Sequence, residues 1–515
     1  MVLAVVLVGP ALRLWAIGRA PSNPFYDAAV RSMGLSWHNL FFGAIDPGAT
    51  VSIDKPPADL WLQVLSTKVL GFNTLALHLP EALGGALAVA LLYATVRSVW
   101  GRRAGILAAL SLAVLPVSVL TARSDTMDSV MAALLIASMW ASVRALETRR
   151  GVWVLAAAAL VGVAFNVKLA EALVPLPGLV VMWWMAAMPR RRAPLLIGAA
   201  ATLVVVGMSW IFVASSTPAA RRPHPIGSGT GSVYRVVFVY NGLDRLRGAP
   251  RRGPTDPTTP GPLRLVASRA DYSHLIGTEL IASLALVLGL ALVKAHHRGS
   301  GRPGGEDERV GRWASAGLGL WLVVGLALFT SIGHLQTRYL EACAPALAAV
   351  LGVSTAALLA RAVHGDRAVR ALAAALTLSG VYAVAMATDP LGGAAAGLAL
   401  ALALALVGCL GRRAGHPCAG RRGWPRTGAL SVLAGLALLA APVRSSLDIV
   451  ARNTGDAPQA GAGAEYAAYL HAHRRGARYE VASSQPLGVV GLIAVDPQPV
   501  LILNDVKGPS SAWRR

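Results

Sequence analysis

Apolar runs long enough to cross a bilayer recur from the first residue to beyond residue 440, and this repetition limits the fold more than any motif does. They lie near 1–18, 75–98, 104–122, 127–145, 152–167, 169–187, 194–214, 274–294, 313–331, 340–361, 370–387, 393–410 and 428–446. A helix needs roughly 20 apolar residues to span the hydrocarbon core. A chain that is 55% hydrophobic and 14% charged, with its charges pushed between such runs, has too little polar surface for a soluble core of this size. The expected fold is an all-α polytopic membrane protein with about thirteen spans. The opening MVLAVVLVGPALRLWAIG has no basic n-region and no small-residue cleavage site, so it reads as a retained first span.

The formal net charge of +22 fits either a nucleic-acid partner or basic loops held on the cytoplasmic side, and the positions of the charges decide between them. With the N-terminus inside, the clusters Arg97/Arg102/Arg103, Arg144/Arg149/Arg150, Arg190 to Arg192, Lys294 to Arg312, Arg361/Arg367/Arg370 and Arg412 to Arg426 all fall in cytoplasmic loops. No nucleic-acid partner is expected. The segment 215–273 is placed outside although it carries Arg221, Arg222, Arg235, Arg245, Arg247, Arg251 and Arg252, a departure that long translocated loops tolerate. Within it, Tyr234 to Leu246 reads as ordered and the Pro/Thr-rich stretch that follows as flexible. Three cysteines, Cys343, Cys409 and Cys418, imply no disulfide framework.

The longest early interruption, Asn23 to Trp61 in the first outer loop (19–74), mixes aromatic and charged residues as a water–lipid boundary does. On the outer face gather Asp27, Asp54 and Lys55, then Arg123, Asp125 and Asp128, then Lys168 and Glu171, then Tyr240 and Asn241, then His334, Arg338 and Glu341. Ionisable residues at span ends are functional candidates by default. In Asp54-Lys55-Pro56-Pro57 the prolines forbid helix and hold a carboxylate and an ammonium rigidly at the next apolar segment; a solvated ion pair on a turn fits equally well. Asp125 and Asp128 share a helix face, where they could hold a divalent cation or simply cap the helix. Arg338 and Glu341 read as an internal pair or, for Arg338, as a bidentate phosphate ligand. Lys168 and Glu171 read as a structural pair.

After residue 446 the chain becomes polar. AEYAAYLHAHRRG suggests a helix, and VAS, VVGLIAV and PVLILNDV suggest strands, so 447–515 is expected to be a small extracytoplasmic α/β appendage, cut short from a larger soluble domain, on a transmembrane body of 1–446. No Walker loop, dinucleotide fingerprint, HExxH or Cys/His metal spacing occurs, which leaves nucleotide use unsupported.

NPFYDAAVRSMGLSWHNLFFGAIDPG, VSIDKPPADLWLQ, ARSDTMDSVM, VYNGLDRLRG, the RYLEACAPALAAVLG span and VASSQPLGVVGLIAVDPQPVLILNDVKG resemble glycosyltransferase family 39, which includes protein O-mannosyltransferases and aminoarabinose transferases, and especially its bacterial YkcB-like branch. The resemblance implies a GT-C transmembrane bundle in the cytoplasmic membrane. Its extracytoplasmic site would move a sugar, a mannose or other hexose, from a polyprenyl-phosphate donor to a protein, lipid or wall-polymer acceptor. It implies that Lys55 contacts the donor phosphate and that Asp128 matches an aspartate of the second outer loop. Ser22 and Asn23 stand where many members carry an acidic pair, so the base is expected elsewhere, at Asp54 or Asp27, with Asp54 preferred beside Lys55.

The expected reaction is an inverting transfer with Asp54 as base and with Lys55, Arg338 and Arg123 stabilising the departing phosphate. Asp125 and Asp128 would orient the site or hold Mg or Mn; no other cofactor is expected. Trp37, Phe41 and Phe42 would admit the lipid tail. The alternatives are a transporter or lipid-carrier flippase, and an inactive relative of the transferases.

Overall fold

The computed structural model describes residues 2–247, 259–267, 272–296, 306–362, 366–387, 390–414, 424–456, 463–505 and 508–509. Every apolar run read from the sequence lies on helix. The first are α1 (Val2–Leu14), α2 (Pro24–Met33), α3 (Trp37–Phe42), α4 (Ala58–Leu70), α5 (Thr74–Val114), α6 (Pro116–Ala122), α7 (Asp128–Thr148), α8 (Gly151–Lys168), α9 (Leu176–Ala186) and α10 (Arg192–Ser216). Long helices at Thr278–His296, Glu306–Ser331, Ala344–Ala362, Asp366–Met386, Pro390–Ala414 and Trp424–Ala451 follow.

Among the described residues nine helices are long and apolar enough to cross a membrane, and Leu176–Ala186 and Pro390–Leu402 are shorter apolar helices. The chain is a multi-pass membrane protein. The count is lower than the number of apolar runs partly because α5 joins two of them. It turns at Gly101, whose φ of 85° suits a residue without Cβ, and the backbone resumes helix at once.

Helices approach closely where side chains are smallest, as expected where lipid offers little hydrophobic drive for association. A Cβ added to Gly352 on Ala344–Ala362 would lie 2.4 Å from the Ala108 backbone nitrogen of α5, and one at Gly178 on α9 would lie 2.2 Å from the Gly317 carbonyl oxygen. Any larger residue would push these pairs apart.

The sheets are minimal, and one of them matters for function. β1 (Val51–Ser52) pairs in parallel with β2 (His224–Pro225), joining the first outer loop to the large outer loop. The ordered start of that large loop is helical, Arg235–Leu243 running into Asp244–Arg247; residues 248–258 of the expected flexible stretch lie outside the described residues. Cys343 is a buried free thiol, while the side chains of Cys409 and Cys418 lie outside the description.

The C-terminal segment is an α/β unit with one correction. Helix Gly463–His473 precedes β3 (Val481–Ser483), which pairs in parallel with β4 (Val500–Ile502). VVGLIAV, expected as a strand, forms helix Val490–Val495 instead. Parallel strands need a crossover between them, and this segment supplies it while burying Val490, Leu492 and Ile493. Tertiary demand here overrides the strand preference of its β-branched residues.

Candidate active site

Two loops and a proline pair hold the DKPP motif. The β1–β2 pairing fixes the chain just before Asp54, and Pro57 caps α4 just after Lys55. The Asn241 amide donates to the Asp54 backbone carbonyl from the helical start of the large loop. Lys55 Nζ donates to Tyr26 Oη at 2.8 Å and lies 3.5 Å from Asp54 Oδ1. Burial disfavours the Lys55 ammonium, but Asp54 and Tyr26 outweigh it and hold its pKa above the ordinary lysine value. Lys55 therefore stays charged at neutral pH.

Asp54 and Lys55 open onto a cavity of about 690 Å³. Lys55, Lys168, Arg245 and Arg338 bring positive charge to its wall, and Asp54 and Glu171 bring negative charge. Tyr26, Tyr240 and Tyr339 add aromatic faces, and Ile226, Leu328, Phe329 and Ile332 an apolar flank. Among the described residues Asp54 Oδ1 and Glu171 Oε2 are buried without a hydrogen-bond partner. Each is answered instead by a lysine at ion-pair distance, Asp54 Oδ1 by Lys55 Nζ at 3.5 Å and Glu171 Oε2 by Lys168 Nζ at 3.8 Å. The space is of the size that holds a small ligand, and the excess of cations favours an anion.

Candidate residues from distant segments meet here: Asp54, Lys55, Tyr240, Asn241 and Arg338 all line the cavity. Arg338 pairs with Asp456 at 3.0 Å, and Thr337 Oγ1 donates to the other oxygen of that carboxylate. The expected Arg338–Glu341 pair does not form; Glu341 instead accepts from Ser118 Oγ at 3.1 Å behind the wall. The residues 337–342 form a 3₁₀ turn, and the chain after Trp424–Ala451 returns to supply the partner that Arg338 uses.

Arg123 is a second correction. It does not line the cavity; it donates to the Leu12 and Trp15 carbonyls and to Asn453 Oδ1, satisfying the C-terminal end of α1. Trp37, Phe41 and Phe42 do not line it either. Trp37 is exposed, Phe41 packs edge-on to Phe42, and the Phe41 carbonyl accepts from the Trp210 indole.

Asp128 is fully buried and bonded to Lys168 Nζ, and it accepts from Thr126 Oγ1 through its other oxygen. Lys168 is thus a partner of Asp128 first, with Glu171 at 3.8 Å. Met127 (φ 72°) and Leu169 (φ 50°) flank this ion pair in left-handed backbone that non-glycine residues seldom adopt, a strain that clusters at functional sites. The ammonium occupies the place a cation would take on Asp128, while Asp125 points at the Asn23 amide. Asp125 and Asp128 therefore do not fit the divalent ion expected between them.

Asp27 and Asp125 meet beside Ser22 and Asn23, where the acidic pair was missed in the sequence. Ser22 Oγ donates to Asp27 at 2.6 Å, and the Asn23 backbone amide donates to Asp125 at 3.0 Å. Burial, then the neighbouring Asp125 charge, pushes Asp27 to about 8. Burial pushes Asp125 to about 7. One oxygen of each is left without a hydrogen-bond partner, and two buried carboxyls side by side favour the neutral form of one of them. Asn23 lines the cavity, and this pair stands behind it.

Two cavity residues, Arg245 and Tyr26, and the Arg338 partner Asp456 were not singled out in the sequence reading. Arg245 lies over the Tyr240 ring at 5.2 Å and sits in the quoted VYNGLDRLRG stretch, so its signal was present. Tyr26 sits likewise in the quoted NPFYDAAVR stretch, whereas Asp456 carried no signal, because a lone aspartate in a polar segment looks like solvated surface.

The architecture is that of the GT-C fold of membrane glycosyltransferases, as the solved structures it resembles show. The ArnT structure from Cupriavidus metallidurans bound to undecaprenyl phosphate aligns with a TM-score of 0.59 at 16% identity over 98% of this chain and 86% of that one. The archaeal oligosaccharyltransferase AglB from Archaeoglobus fulgidus, in complex with an inhibitory peptide and a dolichol-phosphate, aligns with a TM-score of 0.55 at 11% identity over 98% and 64%. Residues 54–211 match the family described as dolichyl-phosphate-mannose-protein mannosyltransferase. YkcB of Bacillus subtilis (strain 168), itself only provisionally named a mannosyltransferase, is 32% identical over 251 residues, 48% of this chain and 35% of that protein. The alignment thus spans about a third of that relative's length. The recognition made from the motifs, a family 39-like chain of GT-C fold, holds.

Proposed function

We propose that the protein is a glycosyltransferase that takes a sugar, mannose or another hexose, from a polyprenyl-phosphate donor and passes it to an acceptor hydroxyl. The observation that carries this reading is the cavity itself: Asp54 and the cations Lys55, Lys168, Arg245 and Arg338 line one space with an apolar flank. A lipid-linked phosphate suits such a wall, with the anion on the cations and the chain on the apolar side. The fold neighbours include a structure with undecaprenyl phosphate and one with dolichol-phosphate, which agrees with a carrier of that kind.

In this reading Asp54 accepts the acceptor's hydroxyl proton as its oxygen attacks the sugar C1 with inversion. The bond from C1 to phosphate breaks, and the polyprenyl phosphate departs. Lys55, Arg338 and Arg245 stabilise the charge developing on that phosphate, in a site where fixed donors act with little reorganisation. Lys168, held by Asp128, adds to the same field. The Asp27–Asp125 pair stands behind Asn23 and is a reserve candidate for the proton. No step needs a metal ion.

The cavity lies at the Asp128 end of α7, and the basic clusters at Arg149 and Arg309 lie at the opposite end, where Arg309 donates to the Leu146 carbonyl. By the bias of basic loops to the cytoplasm, the site faces outward from the plasma membrane. In this reading the body through 446 carries the reaction, and Asp456, Pro486 and Leu487 of the C-terminal segment reach its wall.

The test is transfer from radiolabelled polyprenyl-phosphate mannose, and from the glucose analogue, in membranes holding wild type or Asp54→Asn, with lipid, protein and wall fractions extracted separately. Label leaving the donor only with wild type supports the reading, and the labelled fraction names the acceptor. Donor recovered intact on the far side of the membrane would instead make the protein a carrier. Binding without release would make it an inactive relative.

A further inference from the structure

The C-terminal segment holds a second cluster of ligating side chains, separate from the cavity. His471 lies in the last turn of helix Gly463–His473, Glu480 directly precedes β3, and Asp496 directly follows helix Val490–Val495. One ligand atom from each lies within 4.8 Å of the others. His471 Nδ1 is 3.9 Å from Glu480 Oε1 and 3.7 Å from Asp496 Oδ2.

The central observation is Glu480. The residue is only 9% exposed and its side chain 0%, yet among the described residues neither carboxylate oxygen has a hydrogen-bond partner. A buried carboxylate with both oxygens bare is costly unless a cation answers it. The nearby guanidinium does not: Arg474 donates to the carbonyls of Ala477 and Arg478 and to Gln498 Oε1. His471 donates no hydrogen bond to it, its Nδ1 lying 3.9 Å from Glu480 Oε1, an ion pair that exists only when the imidazole is protonated. Gln498 Nε2 meanwhile donates to Asp496 Oδ1 at 3.2 Å, the kind of outer contact that orients a ligating carboxylate.

We propose that His471, Glu480 and Asp496 bind one divalent cation of the zinc class, with water completing the shell. One imidazole nitrogen with two carboxylates matches the borderline character of that ion. The site is a staple. Among the described residues the ligands sit at the ends of two short helices and a three-residue strand, elements with little regular structure between them to fix their spacing. The ion would tie three elements and pin both ends of the segment 480–496. That segment carries Pro486 and Leu487, which line the cavity.

The experiment uses the full chain purified in detergent and stripped with chelator. Zinc chloride is added, excess is removed by gel filtration, and bound zinc is counted per chain. Wild type is expected to retain one equivalent more than His471→Ala or Glu480→Gln, and zinc is expected to raise the thermal midpoint and slow proteolysis of 463–505 in wild type alone. His471 is 61% exposed, so its alanine variant leaves the fold intact even where the Glu480 variant does not. Equal zinc in wild type and both variants would overturn the site. So would a higher midpoint for Glu480→Gln with no response of wild type to zinc, because Glu480 would then be an unanswered buried charge. Magnesium retained as well as zinc would overturn the assignment of ion class.

Discussion

The cavity wall and the seam between α1 and α5–α6 both bury cations, and they use them in opposite ways. In the seam, Arg13 donates to the Gly9, Leu112 and Ala113 carbonyls and to Ser118 Oγ, and Arg123 closes the end of α1. Room for Arg13 comes from Gly85, where a Cβ would lie 2.7 Å from its Nε. These arginines end on neutral oxygens of the protein itself, most of them backbone carbonyls. Across the cavity, Lys55, Arg245 and Arg338 have tyrosine or carboxylate partners and also face a space that a ligand can enter. Depth and charge do not separate a structural cation from a ligand-binding one; the identity of the acceptors does.

This contrast can be broken by experiment. The largest effect is expected at Asp54→Asn, where loss of the base should cut transfer by about 10²- to 10⁴-fold while donor binding persists; transfer at the wild-type rate would remove Asp54 from the chemistry. Lys55→Ala should cost roughly 10²- to 10³-fold in kcat/KM at unchanged protein yield. Arg123→Met should do the reverse. It strands the Leu12 and Trp15 carbonyls and lowers stability by about 1–3 kcal/mol per stranded group, with transfer per folded molecule unchanged. A loss of transfer without a fall in thermal midpoint would move Arg123 to the cavity side of the comparison. Asn241→Ala, which frees the Asp54 carbonyl, should lower kcat about tenfold, the equivalent of one modest hydrogen bond.

The smallest effect concerns pH. Asp27 near 8 and Asp125 near 7 both lie above the unfolded carboxylate value near 4. The folded protein therefore holds more protons than the unfolded chain through that window, and its stability falls as pH rises from about 4 to 8. Thermal midpoints should decline across this range in wild type and less steeply in Asp27→Asn. Parallel slopes would mean that the two carboxyls are not held as a proton-sharing pair.

Much of the fold was legible because a bilayer imposes a length and a polarity on each helix, and both are written locally. The DKPP motif was legible for a similar reason: proline restricts backbone wherever it stands. The site was legible only in part. Arg123 and Arg338 look alike in the sequence, each at a span end beside a carboxylate three residues or fewer away, and their roles separated only when Asp456 reached one and α1 reached the other. Asp128 and Asp125 looked like a pair on one helix face, but Lys168 claimed the first and the Asn23 amide the second. VVGLIAV kept its strand composition and became a helix because it connects two parallel strands.

By itself, then, the sequence determined the helical membrane body, the outer-loop candidates and the family likeness, since these rest on local periodicity and short rigid motifs. The tertiary structure decided which of the buried charges face a cavity and which end on backbone. That outcome depends on partners hundreds of residues away, and a charge is stable in the interior only where such a partner arrives.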